Sequence, residues 1–170
     1  MPQKLKSCEH SQPVEMTELV LPSHTNAHGT IFGGVVMSWI DIAGAIAAGR
    51  YARSAVVTVS VDHLHFMAPI RTGYAVIIRA CVTFTGKTSM EVEVLVDSEN
   101  ISTGDSRRTT RAFLTYVAID EFGRPKKVPA FTPQSDDGRK RLKEAEKRRS
   151  QRLKIRDLLF GKLDAKRSEH

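Results

Sequence analysis

At 170 residues the chain has room for one ordinary domain and an appendage, and 41% hydrophobic residues suffice for one core. No run matches the 18 uninterrupted apolar residues of a membrane span, because the longest candidate, residues 31–48, contains Ser38 and Asp41. The opening MPQKLKSCEHSQP lacks the apolar core and cleavage site of a secretory signal. Two cysteines, Cys8 and Cys81, exclude a disulfide framework and a four-cysteine zinc site, so the chain reads as cytoplasmic and reduced. The net charge of +7 is not spread evenly: residues 136–170 hold 13 Lys and Arg against 7 Asp and Glu, whereas residues 1–135 hold 13 against 12. A high isoelectric point therefore describes a basic tail and not the body.

In chain order, a polar leader (1–13) is followed by a body (14–121). Val14, Met16, Glu18 and Val20 alternate as a short first strand. Residues 22–34, with Pro, Ser, Asn and Gly, form a loop. The segment GGVVMSWIDIAGAIAAGRYA then gives about 20 residues of helix, roughly 30 Å long. Its apolar residues cover nearly the whole circumference, so burial on most sides is expected. Four runs follow with period-two patterning: AVVTVSVDHLHFMAP, YAVIIRACVTFTG, SMEVEVLVDSEN and RRTTRAFLTYVAID. They predict an antiparallel meander curled around the single helix, an α+β arrangement. A proline-rich linker (122–135) leads to the tail (136–170), which is dense in helix formers. The tail is expected to be one long solvated helix, its late apolar cluster Leu158, Leu159 and Phe160 meeting the body or another subunit.

Asp41 is the residue that carries chemistry. It is the only Asp, Glu, Lys or Arg between Asn26 and Arg50, and it sits mid-way along an apolar helix. Burying a carboxylate there costs several kcal/mol unless partners satisfy it. Ser38, Gly44, Ala45 and Ala48 share its side, while Val35, Trp39, Ile42 and Ile46 populate a bulky opposite face. A purely structural Asp, bonded to a loop amide or to an interface arginine, explains the pattern equally well. At the helix entrance, Gly33 and Gly34 let a ligand approach unpaired N–H groups at the positive end of the helix dipole, although a plain glycine turn looks the same. Asn26 adds an uncharged amide. Asp41 lies about 10 Å along the helix from Gly34, so Asn26 and Asp41 would most naturally meet across two subunits.

The segments LPSHTNAHGTIFGGVVMSWIDIAGAIAA, TVSVDHLHFMAPI, TFTGKTSMEVEVLVD and FLTYVAIDEFGRPKKVP together resemble the hotdog-fold acyl-CoA thioester hydrolases, in particular the cytosolic group that includes brain acyl-CoA hydrolase. The resemblance covers roughly residues 14–133. It implies a sheet wrapped around one central helix, homodimers with continuous sheets, and hexamers built as trimers of dimers. It also implies that Asn26 of one protomer and Asp41 of its partner form one catalytic site. Tandem members of the group often keep one of these residues per half. This chain has both, which implies two complete sites per homodimer.

On that resemblance the expected reaction is hydrolysis of an acyl-CoA thioester to a carboxylic acid and CoA. Asp41 acts as general base for a water or, alternatively, as nucleophile, with Gly33, Gly34 and Asn26 around the carbonyl. No metal or organic cofactor is expected. Lys87, Thr88 and Ser89, in a tight turn that lies near the CoA nucleotide in the family, and Arg107 and Arg108 are the candidate CoA contacts. Arg111 and the loop residue His28 are further candidates, and His63 with His65 lack a third metal ligand. Two other readings stay open. One is a non-catalytic acyl-CoA sensor whose tail attracts nucleic acid by charge alone. The other is a hotdog hydratase or dehydratase, whose usual histidine this helix lacks.

Overall fold

The computed structural model describes residues 13–167; residues 1–12 with Cys8, and the side chains of His63 and of residues 162–167, lie outside the described residues. The elements are β1 (Val14–Leu19), a 3-10 turn (Pro22–His24), α1 (Gly33–Ala52), β2 (Ala55–Phe66), β3 (Ala75–Thr85), β4 (Ser89–Glu99), β5 (Ser106–Ile119) and α2 (Asp136–Arg167). They fall into two compact units, one ending at Thr132 and the other starting at Pro133. No helix among the described residues is long and apolar enough to cross a membrane.

In the first unit one antiparallel sheet, ordered β1-β3-β4-β5-β2, packs all five strands against α1. Along β4, Met90, Val92, Val94 and Val96 alternate onto the helix side and are fully buried. The helix answers with Val36, Trp39, Ile40, Ala43, Ala47, Ala48 and Ala52. Full burial of a side chain such as Val36 or Ile40 contributes roughly 1.5–3 kcal/mol, so this face readily offsets one half-buried carboxylate on the same helix. The helix stops at Arg53, whose φ of 50° is left-handed and whose N–H reaches Gly49 O.

Two expectations need correction. The meander holds for β3, β4 and β5, but β2 leaves chain order and pairs with β5 at the far edge, Ala55 opposite Ile119. Period-two patterning fixes which face a side chain takes but not which strand lies alongside. Nor is α1 buried on most sides: Met37, Ile42 and Ile46 are 46%, 48% and 37% exposed, so Ile42 and Ile46 do not share the buried side taken by Trp39. The single sheet covers one side of the helix and leaves the other open. Edge strand β2 likewise exposes Val57, Val59 and Val61.

The proline-rich segment runs back along the sheet. Lys126 N–H donates to Ala118 O (2.8 Å), Val128 N–H to Lys87 O (3.1 Å) and Phe131 N–H to Thr85 Oγ1 (2.8 Å). In the second unit α2 is capped by Ser135 Oγ, which accepts from Gly138 N–H at 3.0 Å, and Asp136 and Asp137 sit in its first turn where the dipole favours them. Its Leu158, Leu159 and Phe160 are exposed.

The face of β4 turned away from α1 carries acids. Asp97 is buried and bonded by two arginines, Arg79 at 2.8 Å and Arg108 at 2.5 Å, with Arg79 also reaching Glu15. Arg111 binds Glu93 at 2.7 Å and stacks on Phe113. Removing the buried member of such a network leaves cations without their counter-charge. Asp97→Ala should therefore lower stability by about 3 kcal/mol in urea unfolding; an unchanged midpoint would show that the network is only surface decoration.

Candidate active site

The loop before α1 is fixed by its backbone. Phe32 N–H donates to His24 O, Ile31 N–H to Ile70 O and Asn26 N–H to Thr30 O, while the His24 ring meets Trp39 edge-on at 5.3 Å. Gly29, with φ of 71°, closes the Asn26 turn in a conformation that disfavours other residues. Asn26 Oδ1 accepts from His28 N–H (2.9 Å), and Asn26 Nδ2 donates to Thr30 Oγ1 (3.1 Å). The exposed side chain is thus held by its own loop, and a second amide hydrogen is left to face outward. His28 is exposed too, and enters this arrangement through its backbone only.

Gly33 and Gly34 open α1. Phe32, at the cap position, supplies no side-chain acceptor, and the first turn contains no acid. Among the described residues the N–H groups of Gly33 and Gly34 have no hydrogen-bond partner. The Phe32 ring explains one glycine directly, since a Cβ on Gly34 would lie 2.5 Å from it. Two free amides at a helix start, with no carboxylate to quench them, suit a developing oxyanion.

Asp41 is half-buried. Its Oδ1 accepts from Thr58 Oγ1 at 2.7 Å and from Tyr116 Oη at 3.1 Å, and the same phenol lies 3.0 Å from the Asp41 carbonyl oxygen. The two donors sit side by side on adjacent strands: Thr58 of edge strand β2 pairs with Tyr116 of β5, next to a register shift at Thr58/Ser60 that bends β2. Sequence reasoning missed both. Thr58 is one β-branched residue among many, and Tyr116 resembles ordinary core filling; the available signal was the alternation in FLTYVAID, which puts Tyr116 on the helix side.

The structure does not bring the candidate CoA contacts together. Ser89, at the Lys87–Thr88–Ser89 turn, pairs with Val117, whereas Arg107 and Arg108 pair with Ser98 and Asp97 at the other end of β4. Eight or nine residues of strand separate the two groups, roughly 25–30 Å. They cannot clamp one phosphate from the same chain. Arg108 is already engaged by Asp97, and Arg107 donates to Pro69 O at 2.9 Å while remaining exposed. Arg107 also lines a cleft of about 250 Å³ with Tyr74, Ser98, Asn100, Asp105 and Ser106, a cleft that includes neither Asn26 nor Asp41. No three His, Cys, Asp or Glu residues among those described are grouped to hold a metal ion.

Residues 28–104 match the family model of the Thioesterase superfamily. The uncharacterized acyl-CoA thioester hydrolase YkhA of Bacillus subtilis is 40% identical over 130 residues, covering 76% of this chain and 75% of that protein. The chain belongs to the acyl-CoA thioester hydrolases. The crystal structure of an apo-hexameric acyl-CoA thioesterase is 45% identical to this hydrolase, with a TM-score of 0.80 over 84% of this chain and 92% of that one. The acyl-CoA hydrolase of Staphylococcus aureus, solved with butyryl coenzyme A, coenzyme A and coenzyme A disulfide, is 32% identical, with a TM-score of 0.80 over 93% and 95%. That enzyme has also been solved as three separate single variants, with alanine in place of an asparagine, of an aspartate fifteen residues later, or of a threonine seventeen residues beyond the aspartate.

Burial first, and then the Asp41 carboxylate that it meets, push the Tyr116 phenol far above its ordinary range, with the Thr58 hydroxyl pulling the other way. A folded value above the unfolded value, near 10, means that the stabilisation is complete below about pH 10 and is lost as pH rises toward the folded value. Phenolate absorbance of folded wild-type and Tyr116→Phe hydrolase should therefore coincide up to about pH 10 and separate only when the wild type unfolds. One additional phenolate in the folded wild type would contradict this.

Proposed function

We propose that this hydrolase cleaves acyl-CoA thioesters by general-base catalysis from Asp41. The observation that carries the reading is a half-buried carboxylate, oriented by two hydroxyl donors, on a helix whose first two amides are unpaired. Water gives a proton to Asp41 while its oxygen bonds to the thioester carbonyl carbon. The charge that gathers on the carbonyl oxygen is met by the amides of Gly33 and Gly34, and the Asn26 amide orients the carbonyl or the water. Collapse of the tetrahedral adduct breaks the carbon–sulfur bond, and the proton passes from Asp41 to the CoA sulfur. No step calls for a metal or an organic cofactor. Asn26, Asp41 and Thr58 follow one another at intervals of fifteen and seventeen residues, the intervals between the three residues replaced in the Staphylococcus aureus enzyme, which supports the same set here.

The site is completed by a second copy. Asn26 is held in its own loop, Asp41 is held by Thr58 and Tyr116, and no contact joins the two within the described residues of one chain. The open side of α1 and the valine-lined edge of β2 are the surfaces that a continuous-sheet dimer would cover, giving a hexamer as three such dimers. Lys87 from one protomer and Arg107 from another are the cations we assign to the CoA phosphates, while Arg108 already pairs with Asp97 in its own chain.

Release of CoA thiol from acyl-CoAs of increasing length tests the activity, and a sensor or hydratase would release none. Asp41→Asn should lower kcat about a hundredfold or more, the scale of a lost general base, and Asn26→Ala should lower it less. Near-normal turnover in folded Asp41→Asn would sink the assignment. Hybrid oligomers of Asn26→Ala and Asp41→Ala chains should regain part of the activity, because one interface then keeps both native residues; proven hybrids with no recovery would put each site within one chain. Ending the chain at Gln134 should leave turnover in place and weaken assembly above the dimer, read by sedimentation. A truncated hydrolase that keeps its full assembly but loses activity would contradict both expectations.

A further inference from the structure

We infer that Tyr116 is the positioning residue of the reaction: its buried hydroxyl ties the Asp41 carboxylate to the Asp41 peptide carbonyl and so commits one particular carboxylate oxygen to the chemistry. The inference rests on Asp41 being the general base. A phenol has one proton to give, and here it is shared between Asp41 Oδ1 at 3.1 Å and Asp41 O at 3.0 Å. That three-centre contact fixes the side chain relative to its own backbone, which one acceptor alone would not do. Thr58 Oγ1 adds a second donor to the same Oδ1 at 2.7 Å. Oδ1 is thereby supplied with two hydrogens, while Oδ2 has no partner among the described residues. Oδ2 is the oxygen that takes the proton from water.

The arrangement is built into the core at some expense. Tyr116 is fully buried, and its ring reaches Asp41 only by crossing the helix at Gly44, where a Cβ would lie 2.2 Å from the hydroxyl and 2.9 Å from the ring carbon that bears it. Gly44 weakens the middle of α1 by roughly 0.5–1 kcal/mol relative to alanine. The close approach of the phenol accounts for that glycine, and a role limited to filling the core would not require the hydroxyl to point at the carboxylate.

Tyr116→Phe keeps the ring and deletes only the hydroxyl. It should fold, hold KM for the acyl-CoA within about twofold, and lose about tenfold or more in kcat, since the interaction orients the base without touching bound substrate. Gly44→Ala keeps the phenol but pushes it away from Asp41, and should give the same split between kcat and KM. Combining the two should cost no more than the larger single loss. Wild-type kcat in folded Tyr116→Phe overturns the inference, as does a loss confined to KM or one that merely tracks the fraction of unfolded protein. If Tyr116→Phe does not fold, full kcat in folded Gly44→Ala overturns it, and the predicted loss there supports it. Asp41→Asn, assayed in parallel, separates the two levels: a dead Asp41→Asn beside a fully active Tyr116→Phe removes Tyr116 alone, whereas an active Asp41→Asn removes the base itself.

Discussion

A carboxylate placed mid-way along the helix that an apolar core encloses on one side is the constraint on which the rest of this structure depends. Fully desolvated and unpaired, Asp41 would cost more than the helix gains from several of its apolar contacts. Left in bulk water, it would be an ordinary surface acid. The fold holds it between these limits. One side of α1 is sealed by the sheet, the other is open, and Asp41 lies at the boundary, where the sheet reaches it with two hydroxyl groups and no cation. Neutral donors orient a carboxylate without tying it up in an ion pair, which is what separates Asp41 from the acids on the outer face. There Asp97 stabilises the fold with both of its oxygens taken up by Arg79 and Arg108.

Strand order follows from the same need. Because β2 crosses to the far edge and pairs with β5, Thr58 and Tyr116 become neighbours and converge on one point of the helix. A meander in chain order would have put β2 beside β3 and separated them. The cost of the arrangement is an exposed edge with Val57, Val59 and Val61, next to an open helix face with Met37, Ile42 and Ile46. In the proposed dimer a second copy covering both would also bring a second Asn26 loop, and the surface that drives assembly would then be continuous with the one that carries the reaction.

Much of this was legible in the sequence, and the remainder was hidden for identifiable reasons. The segment read as helix from the sequence is α1, Gly33–Ala52, and four period-two runs became β2 to β5. Asp41 stood out because a lone acid in an apolar helix is costly. What escaped was non-local. Nothing in AVVTVSVDHLHFMAP says that its neighbour is FLTYVAID, so neither Thr58 nor Tyr116 announced itself. The apolar circumference of α1 suggested burial by its own chain, when part of it is left open by that chain. The Lys87 turn and the Arg107–Arg108 pair were both candidate CoA contacts, and nothing in their sequence spacing shows that a whole strand length separates them in one chain.

The central claim is that Asp41 activates water and is not itself acylated, and a single turnover in oxygen-18 water tests it most directly. With enzyme in excess over acyl-CoA, the fatty acid released in the first turnover should carry one oxygen from the labelled water, and the Asp41-containing peptide should carry none. Oxygen-18 in the Asp41 carboxylate after one turnover would mean that an acyl-Asp41 anhydride had formed and been opened by water, and the general-base account would be wrong.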